Sequence, residues 1–145
     1  MRGGVGAASS ELRRLASSPI SIGVLLALMG LMTWTSLSLW GGLTDDGGFR
    51  LREAWDTQPY FYVGLPVMSL AVAAAAFVRP ERPWRWALWL VGGHQLGVVL
   101  VGVGMQSAPS LLVLTIILAI LFAVFFAVPA VLGAMAARAL GERAY

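Results

Sequence analysis

Apolar residues gather into four long runs along this chain, Ile20 to Trp40, Tyr60 to Val78, Trp86 to Val103 and Leu111 to Met135, and every Asp, Glu and Arg lies outside them. As a helix, each run is long enough to cross a hydrocarbon core about 30 Å thick. The pattern predicts an all-α membrane protein, an antiparallel bundle of four transmembrane helices forming a single integral membrane domain over residues 1–145. Local signals mark the helix starts. Ser18-Pro19 reads as an N-cap followed by proline at the first helical position, where its missing N–H costs nothing. Thr57-Gln58-Pro59 and Ser107-Ala108-Pro109 repeat that arrangement before the second and fourth runs. Pro66 and Pro129 lie inside runs and are expected to kink them.

The charges between the runs set the expected threading. Arg2, Arg13, Arg14, Arg79, Arg82, Arg85, Arg138 and Arg143 fall on one side, and only Arg50 and Arg52 on the other. The positive-inside rule therefore predicts that both termini are cytoplasmic. Trp34, Trp40, Tyr60 and Tyr62 are expected in an outer aromatic belt, and Trp84, Trp86 and Trp89 in an inner one. The turn Arg79-Pro80-Glu81-Arg82-Pro83 is too short for a domain and should close a tight hairpin between the second and third helices. The first run is about twice the length of a signal-peptide core, and cleavage after Ser38 would remove one of four spans, so a membrane helix is the better assignment.

Composition narrows the function classes. A chain that is 59% hydrophobic and 12% charged has more apolar surface than a soluble core of 145 residues can hide. The lipid bilayer is the expected solvent. All ten basic residues are arginine, which beside abundant Ala and Gly suggests a bacterial gene and the cytoplasmic (inner) membrane. They are scattered at helix ends without a basic patch, so no nucleic-acid partner is expected. The absence of cysteine removes thiol chemistry and cysteine ligands. No cofactor and no metal is expected.

Three groups of residues stand out. His94, with Gln95 beside it, lies roughly 12 Å from Trp86 along a helix, near the midplane, where ionisable side chains are rare and often functional. No carboxylate in any run would relay a proton with it. A structural imidazole bonded to Ser69, Thr33 or Ser36 is favoured over a transport or ligand role. A Ser69–His94 hydrolase would lack the small residues flanking a nucleophile turn, and two copies of His94 in a homodimer are a remote way to ligate haem. Gly93, Gly97 and Gly104 form a small-residue face, expected to pack on Gly64, Ala71, Ala74 and Ala75 of the second helix, with a partner chain as the alternative. The outer segment offers Asp45, Asp46, Arg50, Arg52, Trp55 and Asp56 as a docking loop. Residues from Phe49 to Trp55 could form an interfacial helical turn, and the Asp45-Asp46-Gly47-Gly48 stretch does not follow an EF-hand pattern.

Without an intramembrane acid, nucleotide motif or metal cluster, the chain is expected to be a non-catalytic accessory subunit, assembly factor or regulator of a larger membrane complex. Its partners would be the lipid bilayer and other membrane subunits or copies of itself. The alternative is an oligomeric small-solute or ion transporter or channel with His94 and Gln95 in the pathway, and a membrane enzyme ranks last.

Overall fold

The computed structural model describes residues 18–40, 54–104 and 110–142. Four helices are long and apolar enough to cross a membrane. They are α1 (Pro19–Trp40), α2 (Leu65–Val78) with the π-helical turn Tyr60–Gly64 leading into it, α3 (Trp84–Gly104) and α4 (Ser110–Glu142). A short 3-10 turn, Ala54–Asp56, precedes the π turn. At 1.5 Å per residue, the 33 residues of α4 extend about 50 Å, well beyond one hydrocarbon core.

The ends of these elements follow from local chemistry. Ser18 caps α1, its hydroxyl accepting the Ser21 N–H at 3.1 Å. Thr57 differs from the expected cap: its hydroxyl donates back to the Ala54 carbonyl, and the π turn has no side-chain cap. Ser107-Ala108-Pro109 lies outside the described residues, as does the part of the outer segment from Phe49 to Glu53. The π turn has a cause in Pro66, which has no N–H to return to the carbonyl four residues back and whose ring crowds that carbonyl. The helix widens there, and the Leu65 N–H donates to the Tyr60 carbonyl five residues earlier. Between α2 and α3, Arg82 takes a left-handed φ of 52°, and the Trp86 indole N–H donates to the Arg79 carbonyl at 3.1 Å, tying the start of α3 to the end of α2.

Small residues decide which helices touch. A Cβ added at Gly93 would run into the Ala27 backbone, one at Gly30 into the Leu90 carbonyl and His94 backbone, and one at Gly97 would lie 3.1 Å from the Trp34 Cβ. These pairs ascend together along α1 and α3, so the two helices run parallel in close contact. The expected partner of the Gly93–Gly97 face was α2, and the structure corrects this to α1. The reason is complementarity: Gly23, Ala27 and Gly30 give α1 its own small stripe, and two such stripes allow backbones to meet, which in lipid supplies much of the association. A similar approach joins α2 to α4, where Gly133 lies against the Ala73 backbone. Arg138, farther along α4, reaches the Pro80 carbonyl at 3.4 Å, so this pair is parallel as well. Of the residues expected to answer α3, Gly64 instead faces Leu37 and Thr33 of α1, and Ala74 is exposed.

Candidate functional site

One residue or more from every helix meets at His94. It is fully buried on α3, and its Nε2 lies 2.8 Å from the Tyr60 hydroxyl of the π turn. Trp34 of α1 stands edge-on to the imidazole, ring centroids 4.9 Å apart at 72°. Phe122 of α4 lies at 4.8 Å and 56° on the ring as well, while Trp34 and Tyr60 meet each other edge-to-face at 5.7 Å. Such geometry suits the charge distribution of aromatic rings and adds to plain burial. Phe126, fully buried, stacks on Phe122 one turn on and extends the cluster.

Counting satisfied groups assigns the proton of this pair. If Nε2 carried hydrogen, the Tyr60 O–H would be a buried donor without acceptor and Nδ1 a bare acceptor. With Tyr60 donating to Nε2, only the Nδ1–H lacks a conventional partner. His94 is thus pinned by one hydrogen bond and two ring contacts. It has no bond to Ser69, Thr33 or Ser36, since Nε2 is used by Tyr60 and Nδ1 has no partner. The Ser69–His94 pairing is accordingly not formed.

Gln95 does not join the pair. Both its amide atoms are buried without a hydrogen-bond partner, and so is the Ser38 hydroxyl one turn beyond Trp34. Gly93 and Gly97 flank His94 on α3 and set its distance from α1; Gly104 ends α3. Among the outer residues, Asp56 is exposed on the 3-10 turn that also holds Trp55, and Asp45, Asp46, Arg50 and Arg52 lie outside the described residues. Among the described residues no group of three or more His, Cys, Asp or Glu side chains could hold a metal ion.

The cluster was partly hidden in the sequence. Trp34 and Tyr60 were assigned to an outer belt, yet each is only 1% exposed, and Trp86 of the inner belt is 3% exposed. Trp40, Tyr62 and Trp84 keep large exposed faces consistent with a belt. A signal for Trp34 existed in the spacing of Gly23, Leu26, Gly30, Trp34 and Ser38, which recurs every three or four residues and marks the buried face of α1. Nothing local in the sequence singles out Phe122.

The pair carries a stability prediction. Tyr60→Phe and His94→Leu should each cost about 1 to 2 kcal/mol at most, the range of intramembrane hydrogen bonds, while His94→Gln should keep the fold with a smaller loss because an amide can accept from Tyr60. Reversible unfolding in mixed micelles measures this. A double variant that loses as much as the two single changes summed would show that the two groups do not interact.

The four helices, each long and apolar enough to cross a membrane, mark an all-helical membrane protein. Compared with protein-family models, curated proteins and solved structures, the chain matches none.

Proposed function

We propose that this chain is a non-catalytic component of a larger membrane complex, an accessory subunit, assembly factor or regulator. The observation that carries this is the distribution of polar and apolar groups. The buried His94 is closed in by Trp34, Tyr60 and Phe122, while α4 turns Ile116, Ile120, Leu121, Val124 and Phe125 outward. A pathway needs polar faces converging from several helices. A subunit needs a broad apolar face for neighbouring helices, and α4 has one. The proposed setting is the bacterial cytoplasmic membrane with both termini inside and successive spans alternating in direction, a threading that the arginine asymmetry supports.

One observation favours the second reading, an oligomeric transporter or channel: the Gln95 amide and the His94 Nδ1 are buried and unpaired, which is the state of groups that receive a passing solute. The two readings separate on α4. A photo-crosslinking side chain at Ile120 or Val124, activated in cells, should give one discrete adduct with a different protein. Adducts with lipid alone would contradict a partner on this face, and adducts only with a second copy would favour the oligomeric transporter.

The threading has its own expected result. In this cysteine-free chain, a cysteine replacing Asp46 should react with an impermeant reagent in intact cells and one replacing Arg82 should not. The reverse pattern would invert the topology.

A further inference from the structure

Beside the contact of α1 with α3 lies a groove of about 450 Å³ lined by Ala27, Trp84, Arg85, Leu88, Trp89, Gly92, Gly93 and Leu96. Arg85, Leu88, Trp89, Gly92 and Leu96 fall on one stripe of α3, and from Arg85 to Leu96 that stripe runs about 16 Å. This matches the depth of one leaflet, half of a hydrocarbon core about 30 Å thick. The groove is apolar along its length and cationic at one end. Two tryptophans flank that end, with Trp84 and Trp89 both keeping exposed faces, as indole rings do at the boundary between headgroup and acyl chain. Trp89 holds its place because Gly23 of α1 has no side chain: a Cβ there would lie 2.6 Å from the indole ring.

From this geometry we infer a site for one anionic phospholipid, with the phosphate on Arg85 and an acyl chain lying over Gly92 toward Leu96. Charge selects the ligand. Arg85 stands at the end of the bundle that also carries Arg79, Arg82 and Arg138, tied there by the Arg138 bond to the Pro80 carbonyl and the Trp86 bond to the Arg79 carbonyl, with Glu81 as the acid of that turn. Cationic side chains at this level attract anionic headgroups. Shape selects the chain. Gly92 is exposed, and a Cβ added to it would meet nothing within 4 Å, so at this point the helix surface is recessed and open where its neighbours Leu88 and Leu96 project. A helix of a protein partner would have to bring its own carboxylate to Arg85 at the headgroup level, whereas the phosphate of a lipid stands there already. A lipid satisfies both ends at once.

The test uses the full chain purified in lipid-free detergent, with phosphatidylglycerol or phosphatidylcholine of the same acyl length added back. Melting temperature and the number of lipids retained in native mass spectrometry are read for each. The unsubstituted chain should retain one phosphatidylglycerol and gain thermal stability from it, with at least a tenfold preference over phosphatidylcholine. Gly92→Phe starts from a Cβ position with open space around it and places its ring in the groove, and should lose retention and the thermal gain for both lipids. Arg85→Gln touches no core contact and should lose the preference while keeping weak binding of either lipid. Arg82→Gln, on the turn outside the groove, and Leu25→Phe, on an exposed face of α1, should behave as the unsubstituted chain. Equal retention across all variants would overturn the site. So would a preference for phosphatidylglycerol that survives Arg85→Gln, or a cross-linked dimer through Gly92 that lipid does not displace.

Discussion

Gly93→Leu should be among the most damaging single substitutions in this protein, costing about 3 kcal/mol or more, whereas Gly92→Leu, one residue earlier, should change stability by less than about 0.5 kcal/mol. The contrast follows from what each glycine faces. A side chain at Gly93 collides with the backbone of Ala27, which no rotamer change can clear, so α1 and α3 must separate. At Gly92 there is open space. Because lipid offers no hydrophobic drive to hold two helices together, a loss of close packing is not compensated elsewhere. Thermal or denaturant unfolding in mixed micelles measures both variants. Equal tolerance at both positions would mean that α1 and α3 are not in backbone contact.

Trp34→Ala should cost about 3 kcal/mol, at the low end of the range for removing a buried tryptophan. The low end is expected because part of the usual cost is transfer from water, and in the membrane the alternative surroundings are also apolar. What remains is the cavity, and here it opens at the meeting point of four helices. Trp34 touches His94 and Tyr60 directly, and its Cβ lies against Gly97. Trp34→Phe should recover more than half of the loss. If Trp34→Ala unfolds at the same midpoint as the unsubstituted chain, the aromatic cluster is not what joins the helices.

The number of helices was legible because hydrophobic run length is a direct consequence of membrane thickness, and the starts of α1 and α3 follow within a few residues. However, α4 continues past the expected end at Met135 to Glu142, where the sequence is no longer purely apolar. Ser18 was recognisable as a cap because its chemistry is local. Pairing between helices was not. The turn from Arg79 to Pro83 suggested that α2 and α3 would share their faces, but a short link fixes only the ends of two helices, and the small residues along their length choose the partner. Gly93 and Gly97 are readable as a packing face because they lie four apart, while Gly23, Gly30 and Gly133, which answer the same need on α1 and α4, show their role only through the helix each one meets.

His94 shows the same division. Its depth could be counted from Trp86, but its partner depends on a helix distortion that Pro66 produces two turns from Tyr60, and on a tertiary contact that no local pattern encodes. Tyrosine near a helix end has two uses, as a belt residue facing headgroups or as an inward donor. The sequence distribution of Tyr60, Phe61 and Tyr62 does not separate them. In the structure Tyr60 turns inward, and Phe61 and Tyr62 are exposed.

The central claim is that the polar centre of this bundle closes it and does not line a water-filled path. Its most direct test is thiol accessibility in the cysteine-free chain, with single cysteines replacing Ser38, His94 or Gln95 in membranes. Small hydrophilic methanethiosulfonate reagents added from either side should leave all three unreacted while labelling a cysteine at Asp46 from one side, and denaturation should then expose every thiol. Labelling of the cysteines at positions 94 and 95 in the folded protein would contradict the account and place His94 and Gln95 on a pathway through the membrane.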